Sequence, residues 1–151
     1  MAQEIERKFL LKGDFRPFVS RSFRIVQGYL SSIPERTVRV RLTDDKGFLT
    51  IKGISNAYGT SRFEFEKEIT KEEATDLLEL CEAGIIDKVR HLVKVGQYTY
   101  EVDEFHGAHQ GLVLAEIELP TVDAPFDKPE WLGEEVTGKE EYYNSVIAKS
   151  K

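Results

Sequence analysis

Charged side chains recur at every second position in several segments of the sequence, and together they have the chemistry to bind a polyphosphate and a metal ion. Arginine and lysine are the usual donors to phosphate oxygens. Clustered carboxylates without histidine or cysteine suit hard cations such as Mg²⁺ or Mn²⁺. The basic set is Lys8, Arg39, Arg41, Lys52, Arg62, Lys88 and Arg90. The acidic set is Glu4, Glu6, Glu64, Glu66, Asp103, Glu116 and Glu118.

The segments that carry these residues alternate between charged and apolar side chains, which is the pattern of β-strands. Glu64 and Glu66, for example, alternate with Phe63 and Phe65. Turn residues between the segments, such as Gly96-Gln97, indicate hairpins and therefore an antiparallel sheet. We predict strands over about 3–11, 23–32, 36–43, 47–54, 61–69, 86–95, 98–105 and 111–119.

Two helices are predicted beside the strands. Thr70 and Glu73 have the spacing of a capping box before a helix over about 71–83. Thr137 and Glu140 repeat this spacing before a helix over 139–149.

The charged faces of the strands favour a sheet whose charged face is turned inward. A half-buried sheet normally turns its polar face to water. Here the polar faces are almost entirely ionic, and the seven basic and seven acidic residues above balance one another, so they could share an enclosed space. We therefore predict a mainly β (α+β) protein: an eight-stranded antiparallel β-barrel tunnel with a charged lumen, helices packed outside and a C-terminal helix near one end.

The length and the net charge of the chain indicate the number of domains and exclude some classes of partner. The 151 residues predict a single domain over 1–151. A net charge of −6 argues against a nucleic-acid partner or a membrane surface. The single cysteine excludes an internal disulfide, and the first ten residues already hold four charges, which does not fit a signal peptide. We expect a cytoplasmic protein and leave a homodimer open.

The segment Glu4-Ile5-Glu6-Arg7-Lys8 resembles the E-x-E-x-K signature of the CYTH proteins, also called triphosphate tunnel metalloenzymes. The resemblance covers nearly the whole chain, and within the family it is most similar to the bacterial inorganic triphosphatases. The further matching segments follow in the order expected for the family: 38–41, 50–52, 62–66, 88–90, Asp103, 115–119 and 135–137.

The resemblance implies hydrolysis of inorganic triphosphate to diphosphate and phosphate with Mg²⁺ or Mn²⁺. It assigns metal binding to Glu4, Glu6, Asp103, Glu116 and Glu118, and phosphate binding to Lys8, Arg39, Arg41, Lys52, Lys88 and Arg90. The catalytic residues it implies are Lys8, Glu4 and Glu6. Further candidates are Arg62, Glu64, Glu66 and Tyr29; Tyr29, Lys52 and Lys88 are alternative partners of Lys8.

Other functions remain open at this point. Members of the family with the same tunnel act on other triphosphates, so an adenylyl cyclase or an enzyme for nucleoside or thiamine triphosphates is an alternative. A triphosphate-binding module without catalysis is an alternative of another class. A barrel whose inner charges only pair with one another would bind no ligand.

Overall fold

The computed structural model describes residues 2–54 and 61–147, without the side chains of residues 2–4, 61, 62, 144 and 145. These ranges contain nine strands: β1 Ala2–Leu11, β2 Val19–Ile33, β3 Arg36–Thr43, β4 Lys46–Gly53, β5 Ser61–Thr70, β6 Ile86–Val95, β7 Tyr98–Phe105, β8 Val113–Glu118 and β9 Leu132–Glu135. They also contain helices α1 Lys71–Glu79 and α2 Asn144–Ile147, and 3₁₀ turns at Arg16–Phe18, Gly107–His109 and Glu140–Tyr142.

The strands form one antiparallel sheet in the order β5-β4-β3-β2-β6-β7-β8-β1-β9. A further ladder pairs β5 with the first half of β1, from Ala2 opposite Glu64 to Ile5 opposite Ser61. β9 pairs with the second half of β1, at Phe9 and Leu11. The predicted antiparallel tunnel fold of eight strands, mostly linked by hairpins, is confirmed, and β9 is an additional strand.

The register of the strands brings the charged residues to the interior. Lys8 lies opposite Glu116 on β8, and Arg90 lies opposite Asp103 on β7. Residues that oppose one another in an antiparallel pair point to the same side of the sheet. Lys8, Arg90 and Glu116 all line one cavity, so the charged face is the inner face of the sheet.

The outer face carries the main apolar core. Tyr100, Val102 and Ile117 pack there with Trp131, and the Tyr100 and Trp131 ring centroids lie 5.3 Å apart. Phe126, from the segment after β8, packs against the same cluster. α1 covers another part of the outer face, formed by β2, β3, β4 and β5, as predicted for a helix packed outside the sheet.

Apolar side chains fill the interior toward one end. The second cluster of buried side chains consists of Tyr29, Ile86, Phe105, Leu114 and Ile147. Phe105 lies opposite Lys88, and Leu114 opposite Asp103, so both share the inner face with charged residues. Because Tyr29 also lines the cavity, this cluster borders the charged space.

The two predicted capping boxes have different outcomes. Thr70 and Glu73 form the first, with reciprocal bonds of 3.0 and 2.9 Å, although α1 ends at Glu79 rather than at 83. The second is wrong, because the Thr137 hydroxyl accepts a hydrogen bond from the Lys8 N–H and Gly138 has a left-handed φ of 81°. Within the described residues the C-terminal helix is reduced to α2, and residues 148–151 lie outside them.

We predict that the fold requires glycine at position 47, where β4 packs against the start of α1, because there is no space for a side chain. A Cβ at this position would lie 2.6 Å from the Ala74 Cβ and 2.9 Å from the Thr70 carbonyl oxygen. Because the backbone of the helix start cannot give way easily, we expect Gly47→Ala to lower the free energy of unfolding by about 1–3 kcal/mol in urea denaturation. Gly53→Ala on the same strand is the control, since its Cβ would meet the Phe63 Cβ at 3.4 Å. Equal unfolding free energies for the two variants would contradict the prediction.

In the described part of the chain, no helix is both long and apolar enough to cross a lipid bilayer.

Candidate active site

The sheet encloses a cavity of about 270 Å³ that collects most of the predicted site residues. Each of the strands β1 to β8 contributes at least one basic, hydroxyl or acidic side chain. The predicted residues that line the cavity are Glu6, Lys8, Tyr29, Arg39, Arg41, Lys52, Glu64, Glu66, Arg90, Glu116 and Glu118.

Six further residues line the cavity that sequence reasoning did not assign to it. Glu101 alternates with Asp103 on β7, so the period-two pattern contained the signal that would have found it. The others carry no charge and had no such signal. They are Thr37, Thr50, Thr137, Gly138 and Tyr143.

Lys88 and Asp103 lie behind the cavity lining instead of in it. Lys88 is 0% exposed and Asp103 is 2% exposed. The Asp103 carboxylate accepts hydrogen bonds from Arg90 Nε at 2.7 Å and Nη2 at 2.8 Å, and Lys88 Nζ lies 2.7 Å from it. Both carboxylate oxygens are therefore engaged by cations of the protein. The side chains of the remaining predicted residues, Glu4 and Arg62, lie outside the described residues.

The buried cluster secures the charge of Arg90. Burial would raise the pKa of Asp103, but Arg90 and Lys88 outweigh it and hold this pKa well below its usual range. Burial lowers the pKa of Lys88 to about 7, against the attraction of Asp103. Burial also disfavours the charged form of Arg90, but Asp103 outweighs this effect and raises the Arg90 pKa. The guanidinium that faces the cavity is thus both charged and held rigidly.

Lys8 on β1 and Glu116 on β8 form a second charged pair, on the strands that follow β6 and β7 in the sheet order. Lys8 Nζ lies 3.8 Å from Glu116 Oε1 and donates a hydrogen bond of 2.7 Å to the Tyr142 carbonyl. Burial would raise the pKa of Glu116, but Lys8 and Arg90 lower it to about 2. Glu116 is therefore an ionised carboxylate at neutral pH.

Three arginines meet in the cavity. Burial, together with repulsion from the neighbouring Arg39 and Arg90, lowers the pKa of Arg41 to about 9. Arg39 donates from Nη2 to Thr50 at 3.2 Å, but its buried Nε has no hydrogen-bond partner among the described residues. An unpaired buried donor costs about 1–3 kcal/mol, so this atom indicates a missing acceptor such as a phosphate oxygen. An anion in the cavity would also relieve the repulsion.

A sequence model of the CYTH domain matches residues 2–150 of the chain. The chain belongs to the CYTH domain family. It is 46% identical over 151 residues to an inorganic triphosphatase from Acetivibrio thermocellus, covering 99% of this chain and 96% of that protein. It is 35% identical over 153 residues to an inorganic triphosphatase from Nitrosomonas europaea, covering 97% of each.

Solved structures agree with this assignment of the CYTH fold. A crystal structure of an inorganic triphosphatase has a TM-score of 0.66 and 31% identity, covering 97% of this chain and 98% of that chain. A Hippeastrum protein, an adenylyl cyclase candidate with dominant triphosphatase activity, has a TM-score of 0.59 over 78% of this chain and 80% of that chain. At 16% identity, the second comparison supports the fold alone.

The carboxylates of this CYTH protein suit a divalent cation that also binds water and phosphate. Among the described residues, no group of three His, Cys, Asp or Glu side chains is placed to hold a metal ion by itself. Mg²⁺, however, usually keeps several waters and is bound by one or two carboxylates together with substrate phosphates. The cavity offers such oxygen donors beside the arginines, among them Glu6, Glu116 and Glu118. The donor set therefore fits a hydrated hard cation shared with a phosphate ligand.

Proposed function

We propose that this CYTH protein hydrolyses inorganic triphosphate to diphosphate and phosphate with the help of a divalent cation, and that residues 1–151 act as one unit. The observation that carries the proposal is the enclosed cavity that Arg39, Arg41 and Arg90 share with several carboxylates, among them the ionised Glu116. The Nε of Arg39, which lacks a hydrogen-bond partner in the part of the chain that the structure describes, supports an anionic ligand. The relatives named inorganic triphosphatase, which match nearly the full chain, support this reaction.

The size of the cavity favours a compact substrate. Sites for drug-sized organic ligands typically measure about 300–1,000 Å³. The cavity of about 270 Å³ lies below this range, and its lining is mainly ionic. An inorganic triphosphate consists only of charged phosphate groups and has no nucleoside for which the cavity would need space. Its properties therefore match the cavity better than those of ATP.

The basic residues are proposed to bind and orient the phosphate chain. Arg39, Arg41 and Arg90 provide planar donors that suit pairs of phosphate oxygens, and Lys52 provides a further positive charge. Lys8, on β1, is proposed to stabilise the charge that develops at the phosphoryl group under attack. Catalysis of phosphoryl transfer depends mainly on such positioning and charge stabilisation.

The acidic residues proposed to hold the cation are Glu4, Glu6, Glu116 and Glu118. When bound, Mg²⁺ or Mn²⁺ would neutralise phosphate charge and lower the pKa of a water molecule. For Asp103 we propose a positioning role in place of the predicted metal-binding role, because Arg90 and Lys88 engage both of its oxygens. For the same reason Lys88 is proposed to support Arg90 from behind rather than to contact phosphate.

The proposal is tested by phosphate release from tripolyphosphate, diphosphate, ATP and thiamine triphosphate, each with Mg²⁺, Mn²⁺ or EDTA. We expect tripolyphosphate with a divalent cation to give the highest rate, with one phosphate and one diphosphate formed per turnover. We expect EDTA to reduce the rate to background and added Mg²⁺ to restore it, since the carboxylates and the phosphates share the cation.

Other results would favour the alternatives. Formation of a cyclic nucleotide from ATP, faster than phosphate release from tripolyphosphate, would indicate a cyclase. A raised melting temperature with tripolyphosphate but no turnover would indicate a binding module, because a ligand at 100 times its Kd stabilises the fold by about 2.7 kcal/mol. An unchanged melting temperature and no turnover would contradict triphosphate binding altogether.

A further inference from the structure

The C-terminal part of the chain holds Lys8 at three points. The Lys8 N–H donates to the Thr137 hydroxyl at 2.9 Å, and the Lys8 carbonyl accepts from the Val136 N–H at 2.8 Å. The Lys8 ammonium donates to the Tyr142 carbonyl at 2.7 Å. We call residues 135–142 the clamp. It fixes both the backbone and the side-chain end of Lys8.

The clamp lies where the ordinary strand pairing of β1 is interrupted. On β1, the ladder with β5 ends at Ile5 and the ladder with β9 begins at Phe9. Lys8 falls between these two ladders, so on this edge of β1 its bonds with Thr137 and Val136 take the place of regular strand pairing, while on the other edge Lys8 stays in the ladder with β8. The position of Lys8 relative to the cavity therefore depends on these two bonds on one edge and on the ladder with β8 on the other.

Glu135 anchors the clamp from the outer side of the sheet. Arg7 donates to Glu135 from Nη2 at 2.7 Å and also from Nε, and the Thr137 hydroxyl donates to Glu135 at 2.7 Å. A hydroxyl has one proton, so donating it to Glu135 leaves its lone pairs to accept from the Lys8 N–H. The bond from Arg7, with a smaller contribution from Thr137, lowers the pKa of Glu135.

We propose that Glu135 and Thr137 are positioning residues that set the place of the Lys8 ammonium in the reaction. The inference rests on the proposed function, because it assigns them a role in that reaction. Neighbouring residues on a strand point to opposite sides, so Arg7 can hold Glu135 outside while Lys8 reaches inside. A misplacement of about 1 Å far from the chemistry can cost up to 10²-fold in rate.

The test compares two replacements of Thr137. Thr137→Val keeps the shape but removes the hydroxyl, and Thr137→Ser keeps the hydroxyl. We expect Thr137→Val to lower kcat for tripolyphosphate about tenfold with little change in KM, and Thr137→Ser to stay within about twofold of the parent kcat. We expect Glu135→Gln to lower kcat in the same way. Glu134→Gln, at an exposed neighbour paired with Lys139 at 3.2 Å, is the matched control and should keep the parent kcat.

A double variant separates positioning from a general effect on the fold. In a Lys8→Met background, Thr137→Val should cause no further loss of kcat, because the hydroxyl acts through Lys8. Two results would overturn the inference even if the parent hydrolyses tripolyphosphate. One is a parent-like kcat for folded Thr137→Val. The other is an equal loss of kcat from Thr137→Val in the parent and in the Lys8→Met background. If the parent releases no phosphate, the proposed function fails and the inference fails with it. If Thr137→Val does not fold by circular dichroism, Glu135→Gln against Glu134→Gln makes the same comparison.

Discussion

Replacing Lys8 with methionine is expected to lower kcat for tripolyphosphate by about 10²–10³-fold, the usual cost of removing one donor that stabilises transition-state charge. Methionine keeps much of the length and apolar body of the side chain but removes the ammonium. Lys8 lies in a largely enclosed cavity, with Glu116 Oε1 at 3.8 Å. A positive charge shielded from water acts on a phosphate more strongly than the same charge in solvent.

The expected loss should appear mainly in kcat rather than in KM. Arg39, Arg41 and Arg90 remain in Lys8→Met to bind the phosphate chain, so substrate binding should persist. An interaction made chiefly in the transition state lowers kcat and kcat/KM together when it is removed. Steady-state kinetics over a range of tripolyphosphate concentrations measure both constants.

Lys12→Met is the matched control for this variant. Lys12 is exposed just after β1, so its replacement makes the same chemical change outside the cavity and should keep the parent rate. Thermal melts of both variants establish that they are folded at the assay temperature. A kcat for Lys8→Met within threefold of the parent value would eliminate the role proposed for Lys8.

Replacing Asp103 with asparagine is expected to lower the free energy of unfolding by about 3–5 kcal/mol, the range observed when one partner of a buried ion pair is removed. Asparagine has nearly the same shape but no charge. Lys88 and Arg90 would then remain buried side by side without the carboxylate that both of them contact. For a chain of this length the loss corresponds to a fall in melting temperature of about 6–20 °C.

Lys88→Met provides the informative comparison. It removes one cation but leaves Asp103 bonded to Arg90 through two hydrogen bonds. We therefore expect Lys88→Met to be clearly less destabilising than Asp103→Asn in urea denaturation. Asp123→Asn, at an exposed position, controls for the loss of a charge at the surface. Equal losses for Asp103→Asn and Lys88→Met would contradict the view that Asp103 neutralises two buried cations.

Alternation along the chain was sufficient to predict most of the strands and most of the cavity lining. Arg39 and Arg41 both face the cavity because side chains two positions apart share one face of a strand. The same rule places Glu101 on the face of Asp103, and Glu101 lines the cavity although it was not among the predicted residues. The family signature includes Lys8 and Glu6 as well, and both line the cavity.

Alternation could not predict whether an inward-facing side chain lies at the level of the cavity or at the level of the inner apolar cluster. Lys88 and Arg90 share one face of β6, yet Lys88 lies behind the lining and Arg90 faces the cavity. The difference arises because Lys88 is opposite Phe105, in the region filled by the inner apolar cluster, whereas Arg90 is opposite Asp103. Depth depends on the register between strands and on the residues that fill each level of the interior.

The sequence alone determined the first eight strands, the inner and outer face of each of them, and the types of charge available to the site, because these follow from neighbours one and two positions apart. Only the tertiary structure decided that Asp103 forms ion pairs with Arg90 and Lys88. It also decided that the Thr137 hydroxyl accepts a hydrogen bond from Lys8 instead of capping a helix. Lys8 and Thr137 are 129 positions apart, so no local pattern reports their contact. It arises from the order in which distant strands pair.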